Sequence, residues 1–370
     1  MHKNSQISGL LALTLAGACT AQTACTASVY SQIAPCVASS TAIVLSNVFA
    51  PSGSSIDLTK VKAGTTITFA GKTTFGFTND SSFEPIKLGG SGITVTADPD
   101  AIIDGNGQAY WDGLGSNGGV PKPNHFIAAS KLIGGSIIEN LYIQNWPVHL
   151  FTITGAVGLT IQNLVLNNTA GDAPNAASGT LAAAHNSDGF DVSSSSNTII
   201  KNTQVFNQDD CVAVTSGNNI TIDGLYCSGG HGLSIGSVGG KSNNNVTNIT
   251  FKNSELVNSS NGARIKSNSG TTGFISNITY SNIKLTNIDT YGIDVQQDYL
   301  NGGPTGEPTN GVTIENILFE NVVGTTAASA KNYYVLCGEG SCSNIKFSGV
   351  KITGGANESS CNYPATGCPA

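Results

Sequence analysis

Two short stretches gather carboxylates: Asn186-Ser-Asp-Gly-Phe-Asp-Val192 and Asn207-Gln-Asp-Asp-Cys-Val-Ala-Val214. Of the chain's 15 aspartates, Asp188, Asp191, Asp209 and Asp210 fall within them, one degenerate repeat apart. If equivalent positions of successive repeats lie over one another, Asp188 sits close to Asp209 and Asp210. Carboxylates a few ångströms apart cannot all ionise freely, so one keeps a proton beside another that does not. Glycoside hydrolysis needs that pairing of an acid and a base. Taken alone, Asp188 and Asp191 read equally well as turn caps that accept backbone hydrogen bonds. The pair Asp209-Asp210 resists that reading, because neighbours on a regular strand point to opposite faces and one would enter the core unless the backbone bends. A calcium site is the other chemistry that clustered carboxylates support.

Bases follow at the same rhythm. Ser228-Gly-Gly-His-Gly-Leu-Ser-Ile-Gly236 places His231 between glycines that permit close backbone approach. Asn261-Gly-Ala-Arg-Ile-Lys-Ser267 holds Arg264, the only arginine of the chain, two positions from Lys266. On a strand that spacing projects both cations from one face. A guanidinium binds carboxylates through a planar fork, so an anionic substrate is implied. Tyr291, in Asp289-Thr-Tyr-Gly-Ile-Asp-Val295, offers one more coil along a ring to stack on a sugar.

The elements that must carry these residues are strands. Charged residues are only 11% of 370, glycines number 45, and there is one methionine. Asn, Thr, Ser and Gly replace the strong helix formers. Alternating apolar segments recur around an Asn or Gly corner: Ile137–Asn145, Leu159–Asn167, Thr198–Phe206, Ile220–Tyr226, Ile249–Val257, Ile278–Leu285, Val312–Phe319 and Ile345–Ile352. Copies return every roughly 22 to 39 residues, within the range of solenoids and propellers. Propeller blades need four antiparallel strands each, whereas these units offer two or three short strands meeting at corners. The expectation is an all-β chain folded as a parallel β-helix of about ten coils. Residues 22–370 read as a single domain, with end caps at about 22–60 and 355–370.

Residues 1–21 combine Lys3, the apolar run Ile7–Ala16 and small residues at Ala16, Ala18 and Ala21, the pattern of a secretory signal peptide. Removing Lys3 with it takes the formal charge from −7 to −8. An acidic surface excludes counter-ion-driven binding of nucleic acid, and no stretch is long enough to span a membrane as a helix. Beyond Cys19, eight cysteines fall into close pairs: Cys25 with Cys36, Cys211 with Cys227, Cys337 with Cys342, and Cys361 with Cys368. In an oxidising compartment these read as local disulfide staples, without the spacing of a zinc site. Eight Asn-x-Ser/Thr sequons accompany them.

The four clusters together resemble the motifs of the polygalacturonases, the pectin-degrading glycoside hydrolases, and among them the fungal endo-acting enzymes. That family shows Asn-Thr-Asp, Gly/Gln-Asp-Asp, Gly-His-Gly and Arg-Ile-Lys in this order, with a downstream tyrosine. Here they stand as Asn186-Ser187-Asp188, Gln208-Asp209-Asp210, Gly230-His231-Gly232, Arg264-Ile265-Lys266 and Tyr291; Ser187 replaces the family's threonine and keeps its hydroxyl. Gly232–Val238 and Gln296-Gln-Asp-Tyr299 extend the likeness over nearly all of the mature chain.

The resemblance implies a right-handed parallel β-helix and hydrolysis of α-1,4-galacturonan with inversion, without metal or organic cofactor. It implies a secreted enzyme, expected to be a monomer, whose partner is the polygalacturonate of plant cell walls. By motif, Asp209 is the general acid, Asp188 and Asp210 activate water, and His231 tunes the acid. Arg264 and Lys266 bind galacturonate carboxylates, with Asn186 and Tyr291 shaping subsites. Inverting enzymes usually hold their carboxylates about 6.5–9.5 Å apart, which adjacent aspartates strain. Exo-acting or rhamnogalacturonan-type hydrolases, calcium-dependent pectate lyases and non-catalytic carbohydrate-binding solenoids are the competing readings.

Overall fold

A corner Asn between two alternating apolar runs makes the chain turn without leaving its sheet. The structure, a computed structural model, describes Met1 and residues 23–301 and 303–369. Apart from Met1, the expected signal segment lies outside the described residues, as does Cys19. Corner residues Asn140, Asn163, Asn202, Asn253, Asn282 and Asn316 all have φ between 50° and 58°. Asn tolerates this left-handed conformation better than other residues with a Cβ, which is why it recurs there.

Each completed coil brings the chain back beside the equivalent strands of the coil before, in parallel, giving two long sheets. One is a ladder that climbs through Ile56–Leu58, Ile86–Ser91, Ile127–Ile133, Phe151–Thr154, Phe190–Ser193 and Val212–Val214. It continues through Leu233–Val238, Asn261–Asn268, Tyr291–Leu300, Lys331–Leu336 and Ser360–Cys361. The other, of twenty strands, holds the remaining segments on either side of the Asn corners. This is the parallel β-helix the repeats imply.

Inward residues stack into ladders. Phe251, Tyr280, Phe319 and Phe347 form a column with ring centroids 4.7, 5.3 and 5.3 Å apart and planes within 12° of parallel. Outside, corner amides form two further columns: in one Asn344 donates to Asn316 (2.7 Å) and Asn277 to Asn248 (3.1 Å), in the other Asn321 donates to Asn282 (2.8 Å) and Asn282 to Asn253 (3.1 Å). Each ladder repeats because the register between coils does not slip there.

The helix Ile33–Ser39 turns Ile33, Cys36 and Val37 onto the strands at the N-terminal end. Residues 42–58 already run as coil strands. Disulfides join Cys25–Cys36, Cys211–Cys227, Cys337–Cys342 and Cys361–Cys368, the four pairs that sequence proximity favours. No helix among the described residues is long and apolar enough to cross a membrane.

Tyr280 links this packing to the surface, since its buried hydroxyl donates to the carbonyl of Arg264 at 2.8 Å. Truncating it would open a cavity in the aromatic column and remove that hydrogen bond. Tyr280→Ala is expected to lower unfolding stability by about 3–5 kcal/mol in a denaturant titration, and a loss under ~1 kcal/mol would contradict the ladder's structural weight.

Candidate active site

In-register pairing turns sequence recurrence into a column. Ala128, Thr152, Asp191, Ala213, Ser234, Arg264, Asp294 and Tyr334 are successive partners across seven rung-to-rung contacts. Their strand neighbours Val192, Val214, Ile235, Ile265 and Val295 point inward and are fully buried. Residues two apart share a face, so Arg264 and Lys266 project together onto the outer side of this sheet.

The acids sit in the bends that lead into the same sheet. Residues 207–211 form an irregular bend between Gln204–Phe206 and Val212–Val214. That bend releases Asp209 and Asp210 from strand alternation, so neither enters the core. Asn207 fixes it by donating from Nδ2 to the carbonyls of Ser187 (3.0 Å), Asp209 (2.9 Å) and Asp210 (3.0 Å). The disulfide from Cys211 anchors the bend's far end. Ser187 Oγ donates to Gln208 Oε1 (2.7 Å) and accepts from Gln208 N–H (2.8 Å), so the serine's hydroxyl ties the two acidic bends together.

Asp188, Asp209 and Asp210 converge, with one carboxylate oxygen of each within 4.8 Å of the others. His231 Nδ1 lies 2.9 Å from Asp209 Oδ1. Its approach needs both flanking glycines: a Cβ on Gly230 would strike Asn207 and the Asp209 carbonyl, and one on Gly232 (φ +104°) the carbonyls of Asn261 and Gly262. Lys266 Nζ donates to Asp210 Oδ2 at 2.8 Å, Ser234 Oγ to Asp210 Oδ1 at 2.6 Å, and Arg264 Nη1 lies 4.0 Å from Asp210 Oδ1. Behind the guanidinium, Arg264 Nε donates to the fully buried Asp294 at 3.2 Å.

Asn186 joins the acids to an overhanging loop. Its Nδ2 donates to Asp209 Oδ2 at 3.0 Å, while its Oδ1 accepts from Ser116 N–H, Ser116 Oγ and Asn117 Nδ2 at 3.1–3.2 Å. That loop is held by a buried ion pair, Lys122 Nζ to Asp112 Oδ1 at 2.8 Å. Nothing in the motif pattern pointed to residues 112–122. Only the fold brings them about seventy positions along the chain to Asn186.

Tyr291 borders this group, close enough for the charges of Asp294, Asp298 and Arg264 to act on its hydroxyl. Its ring stacks on Tyr334 at 4.8 Å, and it is not among the residues that line the cleft. The aromatic that does line it is Tyr299, whose ring centroid lies 5.5 Å from the Arg264 guanidinium and 5.2 Å from Lys266 Nζ. Both tyrosines belong to Tyr291–Leu300, and a register shift after Lys266 brings Tyr299 beside Asn268. The stretch Gln296-Gln-Asp-Tyr299 was the available sequence signal. Tyr299 lines a cleft of about 410 Å³ with Asp188, Asp209, Asp210, His231, Arg264 and Lys266 on its walls.

Charge is unevenly placed in it. Burial, then repulsion from Asp209, Asp191 and Asp210, pushes the Asp188 carboxyl well above the ordinary carboxylate range. Burial acts on Asp209 in the same direction but is outweighed by the charge and hydrogen bond of His231 and by Lys266, so Asp209 stays ionised far below the usual range. His231 is correspondingly raised, because Asp209 outweighs the cost of burying the imidazolium. Burial carries Asp294 up to about 7 despite its contact with Arg264. The open cleft therefore stores its proton on Asp188 and pairs an anionic Asp209 with a cationic His231.

A carboxyl whose folded pKa is raised stabilises the native state below its unfolded value and loses that advantage as pH rises through the raised one. At neutral pH Asp188 is thus a liability to the fold. Asp188→Asn is expected to melt about 2 °C or more above the parent at pH 7, with the gap shrinking at pH 4. Calorimetric scans at both pH values check this, and an equal or lower melting temperature at pH 7 would contradict it.

Comparison with known proteins agrees with this geometry. The pattern of glycosyl hydrolases family 28 matches residues 40–370. The chain is 59% identical over 347 residues to a polygalacturonase of Fusarium fujikuroi, covering 94% of this chain and 93% of that protein. It is 57% identical to endopolygalacturonase D of Aspergillus niger, covering 94% and 70%. Among solved structures it is similar to endopolygalacturonase I of Stereum purpureum complexed with two galacturonate, with a TM-score of 0.78, 32% identity, and coverage of 90% and 95%. With a family match across most of its length, a carboxylate trio at its cleft and a parallel β-helix beneath, the chain belongs to glycosyl hydrolase family 28.

Proposed function

We propose that the protein is a secreted, endo-acting, monomeric hydrolase of α-1,4-galacturonan. The observation that carries this reading is the buried aspartate trio facing the Arg264–Lys266 pair in one cleft. The trio supplies acid and base, and the cations give a uronate carboxylate its counter-charge. The endo-acting reading rests on the names of the relatives. Secretion is supported by the N-terminal sequence pattern and by four disulfides, which belong to an oxidising compartment.

In this mechanism Arg264 and Lys266 hold a galacturonate carboxylate, with Tyr299 bracing both cations and Asn186 holding Asp209 against the overhanging loop. Asp209 gives a proton to the glycosidic oxygen as the anomeric C–O bond breaks, and the leaving sugar departs as an alcohol. Water attacks the anomeric carbon from the opposite face and yields its proton to Asp210, or to Asp188 once that carboxyl has given up the proton it holds in the open cleft. The imidazolium Nδ1 of His231, 2.9 Å from Asp209, is the proton reservoir that makes an otherwise ionised Asp209 a donor. The oxygens within 4.8 Å are closer than the usual inverting spacing of about 6.5–9.5 Å. Water therefore has to enter at the side of the trio rather than between its members.

One observation favours a second assignment: the proton stored on Asp188 makes it the donor, with Asp210 or Asp209 as base. Substrates with a leaving group that needs no protonation separate the two. Galacturonosyl fluoride should still be turned over by the variant lacking the acid and not by the one lacking the base. Survival in Asp209→Asn supports the first assignment, and survival in Asp188→Asn the second.

The primary test incubates purified protein with demethylated polygalacturonate and a chelator, following reducing ends and product lengths. The expected result is early appearance of mid-length oligomers, with a loss of at least about 100-fold in Asp209→Asn. Only monomer or dimer release would indicate exo action, and an unsaturated ultraviolet-absorbing product that vanishes with chelator would indicate a lyase. Binding without cleavage would leave a carbohydrate-binding solenoid. Inversion of an α-linkage gives the β-anomer first, which proton NMR reads before mutarotation; early α-anomer would refute inversion.

The rate is expected to peak in mildly acidic solution and fall towards neutrality. His231, whose raised imidazolium reloads Asp209, loses its proton as pH rises, and the increasingly negative protein repels a polyanion. A pH–rate profile still climbing at pH 8 would contradict this.

A further inference from the structure

Beside the aspartate trio, across the rungs of Ile127–Ile133, Phe151–Thr154 and Phe190–Ser193, two imidazoles and a carboxylate come together that the reaction does not use. His125, His149 and Asp191 each present a ligand atom within 4.8 Å of the other two. Asp191 is held in the outer column, in register with Thr152 below and Ala213 above. His125 Nε2 lies 3.4 Å from Asp191 Oδ2, and the two rings are 5.1 Å apart. His149 Nδ1 lies 3.3 Å from the carbonyl of Asn124. A carbonyl only accepts, so Nδ1 carries the hydrogen in the neutral ring and the lone pair is left on Nε2. That atom faces carboxylate, 3.8 Å from Asp188 Oδ1. A backbone carbonyl fixing the tautomer of a histidine is the outer-shell arrangement common at metal ligands. His125 Nδ1 is buried without a hydrogen-bond partner.

We propose that His125, His149 and Asp191 bind a divalent ion of the zinc class, with solvent completing its shell. Two imidazoles and one carboxylate suit borderline ions, whereas calcium and magnesium prefer oxygen alone. The ligand set differs from the all-carboxylate trio beside it, which imidazole-preferring ions have no reason to choose. Because His149 also touches Asp188, an ion here occupies the cleft next to the trio and inhibits hydrolysis rather than assisting it. This last consequence rests on the hydrolase reading; the binding itself does not.

The test titrates the chelator-treated, full-length protein with zinc chloride in a calorimeter near pH 7.5, where free imidazole is largely deprotonated. The expected result is one ion per chain, with affinity at least 10-fold weaker in His125→Ala and in His149→Gln and retained in Asp209→Asn. Melting scans of each variant confirm that it is folded. Absence of zinc binding in the parent, or affinity unchanged in both histidine variants, would overturn the proposal. Loss of binding only in Asp209→Asn would overturn it too, placing the ion at the trio. With activity established, reducing-end release should fall on adding zinc and recover with chelator in the parent, and be insensitive to the same concentration in His125→Ala. Equal inhibition of both would overturn the inhibitory role while leaving the calorimetric result to judge the site.

Discussion

Everything in the molecule depends on parallel strands hydrogen-bonding in register from one coil to the next. With rungs about 4.8 Å apart, a residue meets its counterpart one coil away at nearly the distance of a direct contact. The column from Ala128 to Tyr334 shows the effect: positions spread over two hundred residues become a single line of neighbours. Inside the coil the same register stacks Phe251, Tyr280, Phe319 and Phe347, and on the corners it stacks asparagines. A rigid backbone ladder is therefore also the device that gathers a site.

The site works against the fold that carries it. Asp188, Asp209, Asp210 and Asp294 are all buried, as are Arg264 and Lys266. Burying ions costs several kcal/mol each unless partners and hydrogen bonds compensate. Three of the acids have partners: His231 for Asp209, Lys266 and Ser234 for Asp210, Arg264 for Asp294. Asp188 has none comparable, with only His149 at 3.8 Å, and it is the carboxyl pushed up by burial. Unequal compensation among chemically identical groups is what separates a proton holder from an anion. The dense packing behind them, with Tyr280 under Arg264 and the Cys211 disulfide beside Asp210, keeps the groups from relaxing apart.

Loops supply what the ladder cannot. Strand register places Arg264, Lys266 and Asp191, but the acids need bends, and a bend has no period. Asn207, through three carbonyls, and Ser187, through Gln208, set those bends locally. The segment around the Asp112–Lys122 pair then closes over Asn186 from a distant part of the chain.

By itself the sequence determined the coil architecture and the approach of Asp188 to Asp209 and Asp210, which follow from the repeat, and proximity along the chain favoured the four disulfide pairs without fixing them. It also marked Arg264 and Lys266 as one face, since strand alternation is strictly periodic. Tertiary structure alone decided which tyrosine meets the cations: a register shift after Lys266 brings Tyr299 to the cleft and leaves Tyr291 stacked on Tyr334. It alone brought His125 and His149 to Asp191 and the 112–122 loop to Asn186, as those residues sit in turns whose lengths vary between coils. Which aspartate holds the proton was likewise a matter of burial and partners, quantities that composition and spacing do not contain.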